Sequence, residues 1–164
     1  MLLWDASALT KRYYVETGSD TVDALFSAPT GVQSVATFWG YAETYASLWR
    51  KRNRGDISLA SFQSAVTLLR AEVPHSPGWI FLTVDDAAVL AGIDLLQQHN
   101  LNTTDAALPA TYLRYAQSQA PGSGTCVLIA ADQRFVRAAG AEGLATLNPE
   151  TVAAVDIPAL LATW

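Results

Sequence analysis

Two hydrophobic patterns alternate along the chain. Short uninterrupted apolar runs recur between longer stretches in which apolar residues return every three or four positions. The first run, at 1–5, is MLLW closing on Asp5; another, CVLIA at 126–130, is followed by Asp132. Unbroken runs of this length mark strands covered on both faces, as in parallel sheets. Weaker strand signals lie at 32–35, 80–84 and 144–147.

The intervening stretches carry helical spacing. A helix is expected over 7–15 with Ser7 as its N-cap, and another over 19–28, with Val22, Leu25 and Phe26 on one face and Pro29 beyond its end. A long helix is expected over 36–54, where Gly55 is a natural stop and basic residues crowd the last turn. Ser58 caps a helix reaching about 73. Asp85 and Asp86 open one that carries Val89, Leu90, Ile93 and Leu96 on one face. Asp105 opens a helix to about 119 with Pro109 in its first turn, Asp132 opens one to 141, and 152–164 is an apolar tail. PHSPGW and the segment 120–124 read as loops. Strands alternating with helices specify an α/β fold, expected as three layers, α/β/α, around a parallel sheet of roughly five strands.

The 164 residues suit one domain, and 51% hydrophobic with 15% charged residues is a globular composition. No apolar run reaches the roughly 20 residues that cross a bilayer. The first residues lack a basic segment and already contain Asp5, so a cytoplasmic protein without membrane attachment is expected. Cys126 stands alone, which leaves no intrachain disulfide and no cysteine zinc site.

A formal net charge of −5 argues by itself against a nucleic-acid partner. Distribution alters that picture. Arg50, Lys51, Arg52 and Arg54 fall within five positions, and Lys11 and Arg12 are adjacent. The basic run at 50–54 is a candidate RNA contact.

Acidic residues gather where a sheet would concentrate them. In open α/β sheets, ligands bind outside the carboxyl ends of the strands. Asp5 and Asp132 follow two buried strands, Asp105 starts a helix after a short loop, and Glu43 lies about two helical turns past a strand end. Four such carboxylates are tolerable together only if protonated or neutralised by cations. Oxygen ligands without cysteine or paired histidine select Mg2+ or Mn2+, which can activate water for phosphodiester hydrolysis. Asp5, Glu43, Asp105 and Asp132 are therefore the candidate catalytic and metal-ligating residues. Ser7, two positions after Asp5, is either a helix cap or a support for that carboxylate.

These residues sit in blocks that resemble a known family. DASALTKRYYVETGSDTV is similar to the opening of PIN-domain toxins, where an acidic residue is followed by Ser or Thr two positions later and an amphipathic helix. YAETYASLWRKRNRG resembles the family's second block, TTDAALPATYL its third, and LIAADQRFVRAAGAEGLATLNPE its last. The blocks occur in the family's order across 1–150, which marks that span as a PIN-like nuclease domain with 151–164 as a tail packed on it. The resemblance is to VapC-type ribonucleases of VapBC toxin–antitoxin systems. It implies a metal-dependent endoribonuclease with Asp5, Glu43, Asp105 and Asp132 as metal ligands and Ser7 in support. It also implies a small antitoxin partner that covers the site, and homodimerisation.

Two other classes compete. A phosphotransferase with Asp5 as nucleophile would want an acid at position 7 and a distant lysine, but position 7 is Ser and no lysine follows Lys51. A non-catalytic interaction module would account for the aromatic-rich helix at 36–49 and the apolar tail.

Overall fold

The structure, a computed structural model, describes residues 1–28, 31–120, 122 and 124–164. The helix stop expected at Pro29 lies outside these residues, as do two positions of the loop expected at 120–124.

Along the chain run β1 (Leu2–Trp4), α1 (Ala6–Tyr13), α2 (Ser19–Phe26), β2 (Ser34–Thr37), α3 (Phe38–Arg54), α4 (Leu59–Glu72), β3 (Trp79–Leu82), α5 (Asp86–His99), α6 (Thr103–Ser118), β4 (Val127–Ile129), α7 (Gln133–Ala141), β5 (Ala145–Leu147) and α8 (Ile157–Leu161). A single 3-10 turn, Ala154–Asp156, precedes α8. The five strands form one parallel sheet in the order β3-β2-β1-β4-β5. The chain first builds outward from β1 through β2 to β3, then returns to β1's other side with β4 and β5. Strand order therefore reverses between β1 and β4, which opens a crevice at their carboxyl ends.

Side-chain alternation along β1 assigns the layers. Leu2 and Trp4 join Val127 and Ile129 in a core with Leu9 of α1, Val22 and Leu25 of α2, Leu48 of α3, Phe62 and Leu69 of α4 and Ile157 of α8. Leu3 and Leu128 face the other way, packing with Leu108 and Tyr112 of α6 and Phe135 and Ala139 of α7. Helices thus cover both sheet faces, and the fold is three-layered α/β/α. Both strand faces are apolar because both are buried.

The tail is tied to this body: Ile157 is buried in the first core, Thr21 Oγ1 donates to the Val152 carbonyl at 2.7 Å, and Thr125 N donates to the Trp164 carbonyl at 2.8 Å. Among the described residues no helix is long and apolar enough to cross a membrane.

Several local expectations are corrected. The second strand is Ser34–Thr37 rather than 32–35, so α3 begins at Phe38 with Thr37 as its cap. Helix α6 starts at Thr103 with Asn102 capping it, which moves Asp105 to the third helical position and Pro109 out of the first turn. The buried face of α5 is Ala88, Gly92 and Leu95, whereas Leu90 is 66% and Ile93 47% exposed. Small residues win that face because α5 lies directly against α6: a Cβ on Gly92 would sit 3.0 Å from the Ala106 carbonyl.

Helix α1 carries a buried lysine. Lys11, 4% exposed, pairs with Glu16 at 3.2 Å and Glu150 at 2.7 Å, and Glu16 also takes Lys51 of α3 at 2.8 Å. A charge removed from water in this way is tolerated only when paired and hydrogen-bonded.

Candidate active site

Asp5 ends β1 and caps α1. Its Oδ2 accepts the Ser7 amide at 2.8 Å and the Ser7 hydroxyl. The cap of α1 is thus Asp5 and not Ser7. The Ser7 hydroxyl is committed elsewhere: besides donating to Asp5, it accepts the amides of Ala131 at 2.9 Å and Asp132 at 3.1 Å. One side chain therefore stitches the end of β1 to the turn leaving β4, across the crevice where strand order reverses. Of the two roles open to Ser7, support of the Asp5 carboxylate is the observed one.

Asp132 caps α7, its Oδ1 accepting Arg134 N at 2.8 Å and Phe135 N at 3.2 Å. Asp105 forms a reciprocal cap with Asn102: its amide donates to Asn102 Oδ1 at 2.9 Å, and Asn102 Nδ2 donates to its Oδ2 at 2.7 Å. Glu43 stands one turn into α3. That helix starts close to β1 because Gly40 lies under it, where a side chain would crowd Thr37 Oγ1 at 3.3 Å and approach the Trp4 carbonyl at 3.8 Å.

These four acids line one cleft of about 330 Å3, together with Ala6, Ser7, Thr10, Ser47, Arg50 and Phe135. All four predicted carboxylates, and Ser7, are brought together. Of the basic run only Arg50 reaches the cleft. Lys51 turns away to Glu16 and lies 3.7 Å over the Tyr14 ring. Arg52 lies over Trp49, and Arg54 pairs with Asp56 at 3.0 Å. Helical periodicity separates these neighbours by about 100° per residue, so one basic cluster in sequence cannot all face one site.

Charge accumulates in the cleft. Burial pushes the Asp5 carboxyl above the ordinary range; bonds from Ser7 and Ala6 oppose the shift and the charge of Asp132 adds to it. Partial burial raises Glu43, reinforced by the charges of Asp5 and Asp105 and opposed by Arg50. Burial and the charge of Asp132 raise Asp105, opposed by Arg134 and Asn102. Such a cluster favours either protons or a cation.

The donor chemistry fits a hard divalent ion. Among the described residues no three acids, cysteines or histidines converge into a ready-made cage. Mg2+ and similar ions keep several waters and take one or two carboxylates alongside substrate phosphates, and oxygen donors of that kind are what these acids offer. Asp132 is drawn toward the end of α7 that it caps, and Asp105 is held by Asn102, the cap of α6.

Sequence reading missed four contributors. Thr10 and Ser47 lie one turn from Ser7 and Glu43, and helical spacing would have found them. Phe135 is three positions beyond Asp132. Tyr112 is fully buried beneath the site and donates to the Trp4 carbonyl at 2.7 Å, fixing the residue before Asp5. It lies seven positions, two helical turns, past Asp105.

No protein-family model matches the chain, and no curated protein does. Among solved structures, the chain is similar to PAE2754 from Pyrobaculum aerophilum, with a TM-score of 0.59 and 19% identity over 96% of this chain and 95% of that one. At that identity the likeness bears on the fold, and the two chains share their overall architecture along nearly their full lengths.

Proposed function

We propose that the protein is a metal-dependent endoribonuclease that hydrolyses RNA phosphodiester bonds, of the PIN-domain type, and acts as the toxin of a toxin–antitoxin pair. The observation that carries the reading is the cleft at the strand-order reversal, which gathers Asp5, Glu43, Asp105 and Asp132 around one space with Arg50 at its side. The order of the four sequence blocks supports the family, and with it a small antitoxin partner that covers the cleft and a homodimeric state.

One or two of the carboxylates among Asp5, Glu43, Asp105 and Asp132 would hold Mg2+ or Mn2+, which would supply positive charge beside the phosphodiester and acidify a water. The protein's own groups have separate tasks. Ser7 keeps the Asp5 carboxylate in place and joins it to the Asp132 turn. Asn102 orients Asp105. Glu43 carries a carboxyl held above the ordinary range, which makes it a stronger base than a free carboxylate toward the attacking water. Arg50 adds a cation that can meet a phosphate, which matters in a chain of net charge −5.

Cleavage of single-stranded RNA with added Mn2+ tests this reading through Asp105→Asn, which preserves the Asn102 cap on the backbone amide. Activity should fall by at least a hundredfold, an effect of the size found when one transition-state stabilising group is removed. Undiminished cleavage by the variant rejects the site.

A further inference from the structure

One face of α3 extends beyond the carboxylates in both directions. Trp39, Glu43, Ser47 and Arg50 recur at intervals of four, four and three residues, which confines them to an arc of about 80° on a helix turning 100° per residue. From Trp39 to Arg50 the stripe spans about 16 Å. Glu43, Ser47 and Arg50 line the cleft. Trp39 is 49% exposed. Its neighbour Phe38 stacks on Phe81 with ring centres 4.4 Å apart, while Trp39 joins no ring pair among the described residues. Arg50 at the other end is in no ion pair among the described residues, unlike Lys51 and Arg54 beside it.

Resting on the ribonuclease reading, we propose that this stripe is the substrate track: Trp39 stacks a base of single-stranded RNA and Arg50 holds a backbone phosphate on the far side of the carboxylates. Each end offers what the corresponding part of a nucleotide needs. An open indole face accepts any base by stacking, and a guanidinium meets a phosphate with paired N–H groups. Stacking requires a base free of its own helix, so the track selects unpaired RNA. The same stripe is poorly suited to a second copy of the chain. The cores of protein interfaces are depleted of charged groups, whereas Trp39 shares its face with Glu43, Ser47 and Arg50.

The test is steady-state cleavage of one defined single-stranded oligoribonucleotide with Mn2+, alongside a set of matched oligomers each carrying one abasic position. Trp39→Ala should raise KM roughly five- to hundredfold, with kcat little changed. Trp39→Phe should recover most of the loss. At one abasic position, wild type and Trp39→Ala should become equal. Arg50→Gln should raise KM alike on every oligomer. An unchanged KM for Trp39→Ala, or the same increase on every abasic oligomer, overturns the track while leaving the ribonuclease reading intact. A changed sedimentation behaviour of Trp39→Ala with unchanged KM also overturns it, and marks the ring as an interface between copies. If wild type cleaves none of the oligomers, the ribonuclease reading and the track fall together.

Discussion

Ser7→Ala probes how the cleft is held together. The hydroxyl makes three bonds: one to the Asp5 carboxylate and one each from the amides of Ala131 and Asp132. A hydrogen bond to a charged group is worth about 1.5–3 kcal/mol, and a buried donor left without a partner costs about 1–3 kcal/mol. The site is only partly buried, so water can replace part of what Ala131 and Asp132 lose, and Asp5 keeps its bond from the Ser7 amide at 2.8 Å. The net cost is then about 2–3 kcal/mol. For a chain of 164 residues this lowers Tm by about 4–12 °C. The variant also removes a bond that opposes the upward shift of the Asp5 carboxyl, so Asp5 should ionise at higher pH. The acidic limb of the cleavage profile should move in the same direction. Thermal and urea unfolding of Ser7→Ala, with Ser7→Thr as the hydroxyl-bearing control, measures the first effect; initial rates from pH 5 to 8 measure the second. A loss of about 0.5 kcal/mol or less, the scale of an ordinary surface substitution, with an unmoved pH profile, would refute the account of Ser7 as the link between the two strand ends.

The charge cluster predicts its own pH dependence. Asp5, Glu43 and Asp105 have carboxyls raised in the folded state, so they contribute stability below the ordinary carboxylate range, near pH 4, and lose it as pH rises through the raised values. Glu16 acts oppositely: burial works against its charged form, but bonds from Lys51 and Lys11 prevail and lower its carboxyl, so its contribution is lost on acidification. The stability of metal-free Asp5→Asn relative to wild type should therefore grow between pH 4 and 7, and Mn2+ should stabilise wild type but not the variant at pH 7; a difference that stays flat with pH contradicts this. Gly92→Leu should cost about 1–3 kcal/mol, because its side chain meets the α6 backbone at Ala106. That displacement also shifts Asp105, the preceding residue, so Mn2+-dependent cleavage should weaken in step with urea-measured stability, and an equally stable variant would show that α5 and α6 can separate freely.

Much of the frame was legible because burial on both faces leaves no choice of residue. LLW and VLI must be apolar throughout, and the first polar residue after each marks the sheet edge, so Asp5 and Asp132 were found from the pattern alone. The misreadings share a cause, which is contact between distant parts of the chain. Ser7 looks like a cap because caps are local; besides Asp5, its hydroxyl's partners lie more than a hundred residues away. In α5 the most apolar face is not the buried one, because a close helix crossing selects Ala88 and Gly92 and leaves Leu90 and Ile93 outside. The basic run looked like one cluster until helical rotation divided it, sending Lys51 to Glu16 and Arg50 to the cleft. Tyr112 shares the Asp105 face of α6, but its bond to the Trp4 carbonyl reaches across to β1 and leaves no mark in the local sequence.

The buried Lys11 has a consequence for the opposite end of its own helix. Ser7 pins the start of α1 to the turn after β4, and about one turn later Lys11 anchors it to Glu150 near the chain's last segment. Whatever enters the crevice thus meets an acid on a wall braced at both ends, with little ordering left to lose on association, where each loosely held side chain would otherwise forfeit about 0.5–1.5 kcal/mol. The stiffness of the opening residues is in this sense a property of the closing ones.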